Sequence, residues 1–285
     1  MSTLPRELPE SSGLSVAGAR GAGARGPDAR GPDAPGTNAP APSLWSHNDS
    51  GWDPVLFRLG PEGELEGTVH VVGARNVDWE AMAAGPCPEG RCLYIADTGD
   101  NLLRRTDPAI YRVPEPGPRD TVTAPATRFP VRLPDGPRDI EAMALLADGH
   151  ALLITKGWGT PVEVLRTPEP LTGPAWSEPL LLEKVQTLDG ERRLPRLVTG
   201  AAATPDGGLI AVRTYESLRF FRPGEGGRLE EVPESWVNLR PLREPQGEAV
   251  TFLHGNRIAL TSEAGPRGRL GQLSVLTCRI PGYDW

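Results

Sequence analysis

Asp78-Trp-Glu-Ala-Met-Ala83 and Asp139-Ile-Glu-Ala-Met-Ala144 agree at five of six positions, 61 residues apart. Self-similarity at such a spacing marks a repeat architecture, in which each unit needs its neighbours to bury its apolar face. The theme returns as Gly247-Glu-Ala-Val250. It is degenerate in Val198-Thr-Gly-Ala-Ala-Ala203 and fainter still in Ser11-Ser-Gly-Leu-Ser15.

Each copy is followed by a turn and an apolar strand that ends on a polar residue. The strands are Leu93–Asp97, Leu152–Lys156, Leu209–Arg213 and Ile258–Glu263, with Leu44–Asn48 in the same place in the first unit. Third strands follow at Val55, Ala109, Val162, Leu218 and Leu273. Outer strands are expected at Gly67–Val72, Ala126–Val131, Leu180–Lys184 and Leu229–Val232. Short strands punctuated by turns at a unit length of some 50 to 60 residues read as propeller blades. The expected fold is all-β: a single β-propeller domain over 1–285, with five blades of four-stranded antiparallel sheet. Six blades are the runner-up, because residues 160–200 have room for two degenerate units. The last unit lacks an outer strand, and Leu4–Leu8 is expected to supply it, since an unpaired edge invites aggregation.

Composition agrees. The chain has 285 residues, 38% of them hydrophobic and 24% charged, with 34 glycines and 32 prolines to break it into turns. A net charge of −7 excludes general attraction to nucleic acid or anionic membrane. No apolar run is long enough to span a bilayer. Residues 18–42, almost wholly Gly, Ala, Pro, Arg and Asp, are expected to be a disordered insertion within the first blade. The opening residues have no apolar core of the signal-peptide kind. The chain as written is therefore expected in the cytoplasm, and outside it if the start is incomplete. Cys87 and Cys92 flank a turn and are as fit for a disulfide as for two free thiols; a disulfide implies an oxidising compartment. Cys278 reads as buried packing.

The repeat puts one polar residue at the start of each inner strand: Ser12, Glu80, Glu141, Thr199 and Glu248. Another ends the next strand: Asn48, Asp97, Lys156, Arg213 and Glu263. Adjacent antiparallel strands bring those two places together, so five blades gather all ten at one mouth of the axis. The polar loops His47–Gly51 and Asp97–Asn101 open at the same end. Glu80, Glu141 and Glu248 are the candidate metal ligands, with calcium as the candidate cofactor, because crowded carboxylates need a compensating charge. Asn48, Asp49, Asp97, Asp100, Asn101, Lys156, Arg213 and Glu263 are the candidate ligand-binding residues. A salt-bridged plug built with Lys156 and Arg213 is the competing structural reading. His47 and Asp97 are the candidate acid–base groups, although local turn bonding explains His47 as well. Trp45, Trp79 and Trp158 lie near these positions, to stack on a ligand or to wedge between blades.

Ser12-Gly-Leu, Trp45-Ser-His-Asn-Asp-Ser-Gly51, Asn76-Val-Asp-Trp-Glu-Ala-Met82, Asp97-Thr-Gly-Asp-Asn101 and Thr155-Lys156 together resemble a family of bacterial β-propellers, WD40-like or phytase-like in kind. The likeness covers nearly all of the chain outside 18–42. It implies the propeller fold and, in many members, export. More distantly, the ring is similar to that of calcium-dependent propeller hydrolases of the lactonase, gluconolactonase and phytase-like groups. That resemblance implies Glu80, Glu141, Glu248 and Asn48 as cation ligands. Two functions stay open. The first is a monomeric binding module for a small polar or anionic ligand or a cation, with a protein partner at its rim. The second is a metal-assisted hydrolase of esters, lactones or phosphate esters.

Overall fold

The computed structural model describes residues 1–18, 42–188 and 197–285; the expected insertion at 18–42 lies, but for its two end residues, outside them. Five antiparallel sheets follow one another along the chain. Blade one is Ser11–Val16, Leu44–Asn48, Val55–Leu59 and Leu65–His70. Blade two is Trp79–Cys87, Gly90–Asp97, Ala109–Pro114 and Thr127–Arg132. Blade three is Ile140–Leu145, Ala151–Thr155, Val162–Arg166 and Glu183–Leu188. Blade four is Val198–Ala203, Ile210–Thr214, Ser217–Pro223 and Leu229–Glu231. Blade five is Gln246–Leu253, Arg257–Glu263 and Gln272–Thr277, completed by Ser2–Thr3 from the start of the chain. The first strand of each blade lies innermost, against the first strand of the next, and that of blade five closes on blade one.

The apolar residues explain the stacking. Side chains of a strand alternate between its faces, and a blade is covered on both. In blade three, Ala151 and Leu153 belong to the core shared with blade two, and Leu152 and Ile154 to the core shared with blade four. Five such cores, one per blade interface, hold the ring together. No layer stands alone, so the strands read as continuous apolar runs rather than as alternating ones.

Two strand assignments need correction. Leu180–Leu181 does not begin the outer strand of blade three; it pairs in parallel with Val131 and Arg132 on blade two, and the outer strand starts at Glu183. The closing strand is Ser2–Thr3, not Leu4–Leu8. Pro5 has no N–H to give the ladder, and Leu8 turns back to bond the Pro5 carbonyl. Leu4 and Leu8 instead fill the core between blades five and one. Leu8 is fully buried, so Leu8→Ala is expected to cost about 2–5 kcal/mol in urea denaturation. A loss below about 1 kcal/mol would show that the closure adds little to the fold.

Cys87 and Cys92 form a disulfide across the hairpin turn at the far end of blade two, opposite the mouth; Cys278 is buried and unbonded. Among the described residues no helix is long and apolar enough to cross a membrane.

Candidate functional site

A β-bulge sits near the start of every inner strand. The register with the second strand slips between Ser11 and Gly13, Trp79 and Ala81, Ile140 and Ala142, Val198 and Gly200, and Gly247 and Val250. The skipped residues are Ser12, Glu80, Glu141, Thr199 and the Glu248–Ala249 pair. A bulge frees one residue from the ladder and re-aims its side chain, and the same device in five blades turns five polar residues toward the axis. Ser12 Oγ donates to the Glu80 carbonyl at 3.0 Å and Thr199 Oγ1 to the Glu248 carbonyl at 3.2 Å, stitching neighbouring inner strands. The approach is close: a Cβ on Gly200 would stand 2.6 Å from the Glu248 carbonyl oxygen, so glycine is needed there.

Carboxylates crowd this end. One oxygen each from Asp49, Asp78 and Glu80 lie within 4.8 Å of one another, and so do one each from Glu80, Asp139 and Glu141. Glu80 belongs to both groups. Burial and then the neighbouring Glu141 push its carboxyl well above the usual range. Burial does the same to Glu141, against the opposing pull of Lys156. Asp49 is raised to about 8 by burial and by Asp78, with which it shares a hydrogen bond. Glu248 is raised to about 8 by burial and by Glu263. Glu263 is itself raised by burial and then by Glu10.

The compensating cations are few. Lys156 Nζ bonds Glu141 Oε1 at 2.6 Å and lies 3.7 Å from Asp139 Oδ2; its pKa is raised as those carboxylates outweigh its burial. Arg213 is fully buried and committed to protein: it donates to the carbonyls of Ala249 and Thr261 and pairs with Glu244 at 2.5 Å. Asp97 is paired with Arg105 at 2.8 Å and accepts the Asp78 N–H. Lys156 thus acts on Glu80, Asp139, Glu141, Glu248 and Glu263, with Arg213 also acting on Glu248, and Arg105 acts on Asp78, so seven carboxylates, Asp49 included, share three cations. Two buried oxygens, Asp78 Oδ1 and Glu248 Oε2, accept no hydrogen bond among the described residues. Unpaired buried carboxylate oxygens are costly, and a hard cation is the ligand that such oxygens fit.

The remaining sequence candidates lie apart from this cluster or are occupied. Asn48 spends its amide on the incoming chain, accepting from Glu10 N at 3.0 Å and donating to the Glu7 carbonyl at 3.0 Å. Asp100 caps the following turn through the N–H groups of Arg104 and Arg105. Asn101 is exposed. His47 is wholly buried, its ring edge-on to Trp79 with centroids 5.4 Å apart and its Nδ1 on the Asn48 carbonyl. Burial lowers its pKa to about 4, so it is neutral at pH 7. Trp45 and Trp79 are buried wedges, while Trp158 is 70% exposed on the loop after Lys156.

Sequence reasoning passed over Asp78, Asp139, Arg105, Tyr215 and Gln246. Asp78 and Asp139 open the two best repeat copies, two residues before each glutamate, and that spacing puts both carboxylates at one end of a strand. Gln246 holds the same place, two residues before Glu248 at the start of its strand, and Tyr215 follows Thr214 as Lys156 follows Thr155; Arg105 comes from a loop outside the repeat. Gln246 Nε2 donates to Glu248 Oε1 at 2.8 Å. The Tyr215 hydroxyl is held protonated by burial and by Glu248.

No family model and no curated protein matches the sequence. Among solved structures the chain is similar to the PQQ-bound form of aldose sugar dehydrogenase from Streptomyces coelicolor, at 11% identity, 97% of each chain and a TM-score of 0.49. It is also similar to a protein described as a 6-phosphogluconolactonase from Bacteroides uniformis, at 14% identity, 84% of this chain, 69% of that one and a TM-score of 0.40. The periplasmic gluconolactonase of Pseudomonas aeruginosa stands at 16% identity, 80% and 65% coverage and a TM-score of 0.40. Its own five closed sheets, rather than these distant likenesses, make the chain a five-bladed β-propeller.

Proposed function

We propose that the protein is a cation-dependent binding propeller, with a calcium-type divalent ion held on the axis and a small polar or anionic ligand taken up at the mouth around it. Glu80 is the shared ligand, with Asp139 and Glu141 on one side and Asp49 and Asp78 on the other. The observation that carries this reading is the buried Asp78 Oδ1, which accepts no hydrogen bond among the described residues and belongs to the group with Asp49 and Glu80. A salt-bridged plug leaves this oxygen unexplained. The Cys87–Cys92 bond supports an oxidising compartment in place of the cytoplasm.

Calcium titrated into chelator-stripped protein is expected to bind saturably. At a hundred times its Kd it should add about 2.7 kcal/mol of stability, a rise in Tm of roughly 5–10 °C for a chain of this size. Magnesium, which demands tight octahedral geometry, should do less. No heat and no shift with either ion would remove the reading.

A metal-assisted hydrolase is the second reading. It is favoured by the two carboxylate groups that share Glu80, where a bound cation would polarise an ester or phosphate oxygen. Calcium-dependent turnover of aryl esters or phosphate monoesters that disappears in Glu80→Gln would support it; an inert protein that still binds calcium would leave the binding module.

A further inference from the structure

A cleft of about 420 Å³ opens off the axis between blades four and five, lined by Tyr215, Glu216, Arg240, Arg243, Glu244 and Gln246 together with neighbouring backbone. Its charges are not balanced. Glu216 is taken by Arg240 at 2.6 Å and Glu244 by the buried Arg213 at 2.5 Å. Arg243 is exposed, and among the described residues no carboxylate stands within ion-pair distance of it. The backbone of Arg243 is left-handed, with φ 50° and ψ 37°. A residue other than glycine or asparagine pays about 1 kcal/mol or more to stay there. It is held by its own N–H on the Arg240 carbonyl and by Arg269, which donates to its carbonyl.

The inner end of the cleft meets the axial site. Gln246 bonds Glu248, and Tyr215 lies in the field of Glu248, Glu141 and Glu263 with its proton retained. From rim to axis the cleft thus runs from an unpaired guanidinium to a hydroxyl and an amide, and then to the carboxylates. A guanidinium matches the two oxygens of an oxyanion with parallel hydrogen bonds.

We propose that this cleft takes the oxyanion of a small ligand, a phosphate or a carboxylate, on Arg243, with the ligand's other oxygens turned toward Tyr215 and Gln246. The anion contact stands independently of the axial cation; only the ligand's reach to the axis rests on the cation reading.

The test is calorimetric titration of glycerol 3-phosphate, glycerate and glycerol into the whole protein and into Arg243→Asn, each with calcium and with chelator. Asparagine tolerates the left-handed backbone, so the variant should keep its Tm and its calcium binding. One or both anions are expected to bind and glycerol is not, and Arg243→Asn should weaken the anions roughly tenfold or more. Binding of the phosphate alone or of the carboxylate alone supports the proposal and names the oxyanion. Anion binding unchanged in the variant, glycerol binding as well as the anions, or no anion binding at all would overturn it. Anion binding without any calcium response would leave this proposal standing and sink the axial cation; calcium binding without anions would do the reverse.

Discussion

Stripped of divalent cations, the protein loses several kcal/mol of folding stability as the pH rises from about 4 to about 8, and calcium restores it. The cause is the raised carboxyls. Asp49 moves from 3.8 to about 8 and Glu248 from 4.5 to about 8 on folding, each chiefly through burial. A carboxyl with a folded-state pKa above its unfolded value keeps its proton in the folded chain and gives it up on unfolding. The folded state is therefore favoured in acid, and its advantage shrinks at about 1.4 kcal/mol per pH unit for each such group until the folded value is passed. Glu80 and Glu141, shifted in the same direction, add to the slope, and His47, lowered from 6.5 to about 4 by burial, offsets one carboxyl's share of it below about pH 6.5. A bound cation takes over the role of those protons and flattens the curve. Urea denaturation between pH 5 and 8, in chelator and in calcium, measures both arms. Stability that is flat or rising with pH in chelator would mean that the carboxylates are already compensated within the protein, as a plug requires.

Glu80→Gln separates the two roles of the cluster more sharply. Glu80 is common to both carboxylate groups, so its neutral isostere removes like-charge repulsion from each while keeping the shape. In chelator the variant should be at least as stable as the parent, by about 1 kcal/mol if relief of repulsion outweighs the loss of one charge for Lys156. In calcium the order reverses, because a carboxylate ligand has gone from every arrangement of the site, and affinity should fall by roughly a hundredfold or more. A variant destabilised in chelator, with calcium binding intact, would make Glu80 a structural partner and not a ligand. The two conditions must be compared in the same protein, since either alone is open to an effect on folding.

The inner strands are legible in the sequence because Asp78–Ala83 and Asp139–Ala144 repeat almost letter for letter, and every later blade echoes part of that string. The grouping of Glu80 with Glu141 follows from the repeat and from antiparallel pairing alone. The bulges do not, since nothing in Ser12-Gly13 or Glu80-Ala81 says which residue drops out of the ladder. The fate of the cations is equally hidden. Lys156 lies just past its strand's last residue, Thr155, and meets the axial carboxylates, whereas Arg213 stands one residue before the equivalent Thr214, paired with Gly200, and is drawn sideways by Glu244, 31 residues further on. Leu180–Leu181 reads as an outer strand by composition but is captured by the edge of blade two, a choice made by space and not by propensity. Asp78 and Asp139 were visible as part of the repeat, and only their partly buried crowding with Glu80 shows what they do.

The most direct measurement is an anomalous difference map from crystals grown in calcium at pH 8. The account predicts a peak on the axis about 2.3–2.6 Å from Glu80 oxygens and from at least one of Asp49, Asp78, Asp139 and Glu141, absent in Glu80→Gln. Featureless density there, with Lys156 alone bridging Glu141 and Asp139, would contradict it.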